Sequence, residues 1–320
     1  MRAVVFDRYG PPEVLRVEVV DRPVPKPHEV LVRVHATTVT RSDTGYRTAE
    51  YAITRPFIGL FRPRDGRPGI ELAGVVEDVG AEAKRFAVGD RVFGIGARTN
   101  AEYVCVKADG PVAHLPSNVS FAEAAAIADG GSTARAFLEQ VRAEPGQRVL
   151  VYGASGSIGT ATVQLAKHLG AVVTAVCRAD GMDVVRSLGA DEVIDYRERD
   201  VTASGETYDV IVDAVGKLPA RRARRILKEE GIYTTAGSPG AIVGVVLLGM
   251  ATKVIGTRRV RLGIARYRRE DVLAMKDLVE AGAYRPVIDR TYALDDVVEA
   301  HRYVDAEGKI GNVVLTVVDH

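Results

Sequence analysis

The chain is poor in cysteine, in histidine and in net charge, and each shortage removes a class of function. Only Cys105 and Cys177 occur in 320 residues. Two thiols cannot build a disulfide framework or a four-cysteine zinc site, and they fit a reducing, cytoplasmic setting. The six histidines, at 28, 35, 114, 168, 301 and 320, are scattered and form no H-E-x-x-H pair. Lys plus Arg number 43 against 42 Asp plus Glu, a balance of +1. A chain so near neutrality carries no broad field for capturing nucleic acid or anionic membrane. Long apolar runs are missing too: "AIVGVVLLGMA", Ala241 to Ala251, falls short of the ~20 residues a bilayer span needs, and reads as a buried or subunit-facing segment. The opening "MRAVVFDRYG" becomes charged too soon for a signal peptide. No internal repeat or low-complexity tract stands out.

What remains is an ordinary soluble composition, 47% apolar and 27% charged, long enough for two modest domains. The first third reads as β structure. "EVLVRVHA", Glu29 to Ala36, sets Val30, Val32 and Val34 against Arg33 and His35, and "ELAGVVEDVG", "DRVFGIG" and "AEYVCVKAD" follow as short strands. Between them Gly45 to Gly69 is rich in Gly, Pro and Arg and reads as a long mobile loop, of the length that is usually functional or disordered. Near Phe121 the period turns helical, with an interruption expected at Gly130-Gly131. Strands and helices then alternate through "RVLVYG", "VVTAVC", "EVIDY", "YDVIVDAVG" and "GIYTTAG", with "ARRARRILKEEG" expected as a helix before the last. Wholly apolar strands separated by helices predict a parallel sheet covered on both faces. "AYRPVID", "TYALDDVVEAHRYV" and "NVVLTVV" resume the β-rich style, so the chain leaves a first domain, builds an α/β unit and returns.

The most informative stretch is "RVLVYGASGSIGTATVQLAKHLGA". Gly153, Gly156 and Gly159 end a strand and open a helix, the context of a dinucleotide fingerprint, although the spacing is G-x-x-G-x-x-G. Gly153 serves the tight turn, Gly156 lets the main chain approach a pyrophosphate, and Gly159 lets the helix pack close on the strand. The amides and positive dipole end of that helix then face the anion. At the tip of the next strand an NAD-type site would carry Asp or Glu; here Cys177 and Arg178 stand there. A carboxylate beside a 2′-phosphate costs on the order of 4 kcal/mol at about 4 Å and an effective dielectric near 20. Arg178 reverses that sign and points to NADPH.

Together with "GIELAGVVEDVGAEAKRFAVGDRVFG", "SLGADEVIDYRERD", "YDVIVDAVG" and "EAHRYVDAEGKIGNVVL", this stretch resembles the medium-chain dehydrogenase/reductase superfamily, in its zinc-independent quinone oxidoreductase (zeta-crystallin-like) branch. The resemblance spans essentially the whole chain. It implies an α/β protein with a GroES-like β-rich domain, residues 1–117 and 283–320, and a Rossmann doubly wound parallel-sheet domain, residues 118–282, with NADPH in the cleft between them. Carried over position by position, the coenzyme contacts are Ser155, Gly156, Ser157 and Ile158 at the pyrophosphate and Thr133 near the phosphate or nicotinamide ribose. Cys177, Arg178 and Tyr196 surround the adenosine phosphate. Val215, Gly216, Gly237 and Ser238 stand at strand ends, and Asn312 is the C-terminal contact. A homodimer through the edge strand near "VRLGIAR" is a further implication.

The departures matter as much. Zinc-dependent members place Cys where Thr40 stands, three residues before Asp43, and Gly-His-Glu where this chain has Gly69-Ile70-Glu71; the four-cysteine lobe is missing. A catalytic zinc needs about three protein ligands, so no metal is expected. Without a Lewis acid an ordinary ketone is a poor hydride partner. Quinones and α,β-unsaturated carbonyls are electrophilic already, and orientation alone supplies roughly 7–11 kcal/mol of barrier reduction. The expected reaction is hydride transfer from NADPH to such a small molecule, with a proton from Tyr46, a ribose hydroxyl or water. Thr40, Asp43, Tyr46 and Arg47 are the candidate catalytic residues, and Phe57, Ile58 and Phe61 a candidate apolar wall. Asp43 also suits a helix cap. The competing functions are a zinc-free alcohol or aldehyde oxidoreductase and a non-catalytic NADPH sensor.

Overall fold

Val30, Val32 and Val34 face a core and are fully buried, as the alternation requires, but their strand is longer than the pattern suggests and runs to Val39. The computed structural model describes residues 1–50, 55–236, 242–254 and 257–318. In chain order it opens with β1 (Arg2–Val5), β2 (Arg16–Val19), β3 (Glu29–Val39), α1 (Arg41–Thr48), α2 (Arg55–Ile58), β4 (Glu71–Val79), β5 (Arg91–Ile95), β6 (Tyr103–Lys107), β7 (Val112–His114) and α3 (Phe121–Ala125). It continues with α4 (Ala128–Val141), β8 (Arg148–Tyr152), α5 (Ser157–His168), β9 (Val172–Cys177), α6 (Met182–Ser187), β10 (Glu192–Asp195), β11 (Tyr208–Asp213), α7 (Ala220–Ala223), β12 (Leu227–Thr235), α8 (Ile242–Val254) and β13 (Arg259–Leu262). It closes with α9 (Arg269–Glu280), β14 (Ile288–Ala293), α10 (Val297–Asp305) and β15 (Asn312–Thr316).

By its contacts the chain divides into one unit of Met1–Asp129 with Tyr267–His320 and a second of Gly130–Arg266. These contact boundaries fall at 129/130 and 266/267, inside the expected 118–282 segment. Long-range hydrogen bonds explain the shift. Ser117 N donates to Glu280 at 3.0 Å and Asn118 Nδ2 to the Val279 carbonyl at 2.9 Å, tying α9 to the β-rich unit. Ser120 caps α3, accepting from Glu123 N, and α3 packs on β3 and β4.

In the first unit β4 runs along one edge of β3. The other edge pairs with β6 over Glu29–Arg33 and with β15 over Ala36–Val39, so β3 is shared between two strand neighbours. That double pairing buries Leu31 as well as the valines, which simple alternation does not anticipate. The core collects Leu72, Val76, Val92, Val104, Val313 and Leu315 beside them. The "DDVVEAHRYV" stretch, expected in a β-rich style, carries α10 instead.

The second unit is a six-stranded parallel sheet in the order β10-β9-β8-β11-β12-β13. This is the doubly wound order, whose direction of winding reverses beside the first strand, β8. Its strands are apolar on both faces; Val149, Leu150 and Val151 are wholly buried. Two expectations fail here. The helical interruption falls at Ala126-Ile127 rather than at Gly130-Gly131, which lie inside α4. "ARRARRILKEEG" is helical only over its first part; Leu227 to Thr235 is strand, paired in parallel with β11 through a register shift, with Glu230 at φ 64. No described helix is long and apolar enough to cross a membrane.

Candidate functional site

The glycine corner follows β8 in the second unit. Gly153 has φ +76, and a Cβ on it would meet the Val215 side chain at 2.6 Å. Glycine is required there twice, by backbone and by space. A Cβ on Gly159 would lie 2.1 Å from the Gly153 carbonyl oxygen, so α5 leans on the turn through that missing methyl. Gly156 differs. Its φ of −78 suits any residue, and a Cβ there would meet nothing nearer than 3.7 Å. No protein atom demands glycine at 156; the open side is a cradle that a side chain would fill. Gly156 is the N-cap of α5 and offers no side-chain cap, and the first amides of a helix have no intrahelical acceptor. Ser157 and Ile158 carry two of those amides. The corner therefore fits a dinucleotide pyrophosphate.

Neighbouring residues converge on it. A Cβ on Gly130 would lie 2.3 Å from Ser157 Oγ, so α4 meets the start of α5 there, and Thr133, buried, stands one turn further along α4. Gly181 closes on Ser155 in the same way, its Cβ position 2.6 Å from Ser155 Cβ and 3.8 Å from Cys177 Sγ. Tyr196 N donates to the Cys177 carbonyl at 3.2 Å, which joins the tips of β9 and β10. Arg178 reaches that tip but is ion-paired with Asp180. That guanidinium holds the Asp180 carboxyl below its ordinary range, with a smaller contribution from Arg197. Gly237 and Ser238 lie outside the described residues. Asn312 belongs to the other unit, where its Nδ2 donates to the carbonyls of Ala126 and Val287 at 3.2 and 3.0 Å.

Asp213, which sequence reading passed over, shapes the loop after β11. Its buried carboxylate accepts from Val215 N at 3.2 Å, Gly216 N at 2.9 Å, Leu218 N at 2.8 Å and Tyr233 Oη at 3.1 Å. Burial raises its pKa against those donors. Val215, so fixed, fills the space beside Gly153. A carboxylate ending an otherwise apolar strand was the available signal, since burial of such a group demands donors.

The first unit holds a cavity of about 590 Å³, lined among others by Ser42, Asp43, Tyr46, Phe57, Ile58 and Gly69. Thr40 is the N-cap of α1: its Oγ1 accepts from Asp43 N at 3.2 Å, while Asp43 Oδ2 accepts from Thr40 N at 2.8 Å and Thr40 Oγ1 at 2.7 Å. Oδ1 of Asp43 accepts from Gly69 N at 2.8 Å. Burial lifts Asp43 to about 6 despite these donors. Tyr46 stands edge-on to Phe6, ring centroids 5.2 Å apart, and its Oη accepts from Gly66 N at 3.3 Å. Burial raises its pKa, so it remains a protonated phenol at neutral pH.

Arg47 does not join this cavity wall. It is wholly buried, donating to the Gly10 carbonyl and to Asp305 Oδ2, both at 2.5 Å, next to a buried His301 held near 3 by desolvation. Its place is under α1 and α10, which corrects the expectation of a substrate contact. Phe61, 93% exposed, is likewise outside the wall formed by Phe57 and Ile58.

Behind Gly69 lies a buried polar network. Thr38 Oγ1 donates to Glu71 Oε2 at 2.5 Å, Asp129 N to Glu71 Oε1 at 2.6 Å, and Tyr267 Oη to Asp129 Oδ1 at 2.8 Å. Burial, then the charge of Asp129, raises Glu71 well above the carboxylate range. Burial also lowers Lys309 to about 8, while Glu71 and Asp129 pull it upward. A zinc ion does not suit this donor set: Ile70 offers no donor atom, Thr40 is committed to the cap, and both oxygens of Asp43 are occupied. Among the described residues no group of three or more His, Cys, Asp or Glu side chains could hold a metal.

Comparisons with known proteins identify the family. Residues 26–130 match the alcohol dehydrogenase GroES-like domain and residues 188–315 the zinc-binding dehydrogenase family. The quinone oxidoreductase of Pongo abelii is 32% identical over 329 residues, covering 98% of this chain and 97% of that protein. The mitochondrial NAD(P)H oxidoreductase RTN4IP1 of Mus musculus is 32% identical over 356 residues, covering 99% and 89%. The structure of Escherichia coli quinone oxidoreductase complexed with NADPH superposes with a TM-score of 0.86 at 26% identity, covering 99% of this chain and 100% of that one. With its GroES-like unit, its doubly wound sheet and relatives matched along nearly their whole length, the chain is an oxidoreductase of the medium-chain dehydrogenase/reductase superfamily, in its quinone oxidoreductase branch.

Proposed function

We propose that the chain reduces a quinone or an α,β-unsaturated carbonyl with NADPH and without a metal. The observation that carries the reading is Gly156, a residue whose missing side chain is explained by no protein neighbour and no backbone angle. When bound, the reduced nicotinamide supplies the hydride. The amides of Ser157 and Ile158 hold the pyrophosphate at the positive end of α5. Cys177, Arg178 and Tyr196 border the adenosine end, with Arg178 favouring a 2′-phosphate; Asp213 fixes Val215 and Gly216.

The acceptor is electrophilic by its own conjugation, so the cavity has only to orient it and exclude water. Tyr46 holds a proton on Oη near neutral pH and is the proposed donor to the reduced product. Thr40 and Asp43 act indirectly, as the cap that fixes α1 and hence Tyr46. A cytoplasmic homodimer completes the reading, in keeping with two free cysteines that burial keeps as thiols near 11.

The test is a titration of NADPH fluorescence followed by oxidation assays with 1,2-naphthoquinone and simple enones. Saturable binding and turnover are expected, with Gly156→Val losing coenzyme affinity at unchanged thermal stability. Tight binding without oxidation by any electrophile favours a sensor instead. Turnover that requires an added divalent ion removes the metal-free mechanism.

A further inference from the structure

We infer that the acceptor carries an anionic group, a carboxylate or a sulfonate, beside an apolar body. This deepens the proposed reductase reading and rests on it for the word acceptor. The cavity is lined by three guanidiniums, Arg64, Arg67 and Arg98, and by Lys26, against the carboxylates of Glu29, Asp43 and Asp65. Asp43 is committed to the donors of Thr40 and Gly69, and Glu29 accepts from Lys26 N, so Asp65 is the carboxylate that the arginines meet. Asp65 is shared: Arg67 Nε donates to it at 2.8 Å and Arg98 pairs with its other oxygen. One negative charge between two cations leaves one in excess. Arg64 donates to the neutral Pro56 carbonyl at 2.9 Å and meets no carboxylate among the described residues, which leaves a second. The whole chain balances to +1, so three guanidiniums gathered about the single carboxylate of Asp65 are not a sample of a basic surface.

The charges also sit where the chemistry is. Arg67, Arg98 and Asp65 are close enough to act on the phenol of Tyr46. On the same wall Phe57 is 77% exposed, although a phenyl ring is ordinarily covered. Apolar carbon beside uncompensated guanidinium recognises a ligand with a flat hydrophobic part and a planar anion, because the arginine fork matches carboxylate geometry. A neutral quinone would use the carbon and leave the surplus charge unanswered.

The experiment is calorimetric binding of 2-naphthoate and of its neutral isostere 2-naphthamide to the full chain at low ionic strength. Naphthoate should bind about tenfold tighter, as expected of charge-assisted contacts in a partly open site. Arg64→Gln and Arg98→Gln should each reduce that preference to within about threefold. Arg62→Gln, on the same segment but outside the cavity wall, should keep it. No measurable naphthoate binding, a wild-type preference below about threefold, or a preference that survives both substitutions overturns the inference. Circular dichroism of each variant separates lost recognition from lost fold. The readout needs no coenzyme and no turnover. Failure of naphthoquinone reduction therefore strikes the reductase reading alone, and an absent naphthoate preference strikes this inference alone.

Discussion

Arg178 reaches the tip of β9 with its guanidinium already paired to Asp180, so a 2′-phosphate there would compete with a carboxylate two residues away. The pair is partly exposed and screened, and its strength is correspondingly small. Arg178→Ala should weaken NADPH far more than NADH. Asp180→Asn should tighten NADPH several-fold by removing a repulsion whose unscreened scale is on the order of 4 kcal/mol at about 4 Å. Fluorescence titration with both coenzymes decides it; equal changes for the two end the 2′-phosphate argument. Residue roles of this kind were half legible in the sequence. Arg178 could be placed at a strand tip, because strand ends are local, but its partner could be anticipated only from proximity. Arg47 was misread because its contact with Asp305 spans 258 positions, and no local pattern distinguishes a buried arginine from one facing a cavity. Glu71 and Asp129 were missed as a pair for the same reason.

At the scale of elements, β8, the turn and α5 form one device in which three glycines have three separable duties. Gly159→Ala should destabilise by about 1–3 kcal/mol, since the new methyl presses on the Gly153 carbonyl and must push α5 off the strand. Gly153→Ala adds a left-handed backbone strain to a clash with Val215 and should cost at least as much. Gly156→Ala should leave the melting temperature of the coenzyme-free protein almost unchanged and weaken coenzyme binding. Thermal melts without NADPH, followed by titration, separate the three; a Gly156 variant as unstable as the Gly159 variant would return that glycine to a purely structural duty. This device was readable because strand, turn and helix signals are contiguous. β12 was not. "LKEEG" has helical composition, yet Leu227 is wholly buried and the segment is drawn into the sheet by pairing with β11, a tertiary gain that overrides propensity.

For the molecule as a whole, the alternation of β-rich and α/β segments made the two-unit plan legible, while the boundaries depended on which unit's contacts capture α3 and α9. That partition has a measurable consequence. The glycine corner proposed to hold NADPH lies wholly within Gly130–Arg266, and the sheet behind it, with β8 and β11 at its centre, has a core of its own. A ligand bound only to the folded form stabilises it by about 2.7 kcal/mol at a hundred times its dissociation constant. Amides in β8 and β11 that exchange through opening of the sheet should then slow about a hundredfold by hydrogen-exchange mass spectrometry. Amides of β4 and β5, in the other unit, should slow less, because their opening need not release the coenzyme. Equal slowing throughout would mean that the two units open together. Unchanged exchange in β8 and β11 at saturating NADPH would remove the coenzyme from the glycine corner, and with it the reason Gly156 has no side chain.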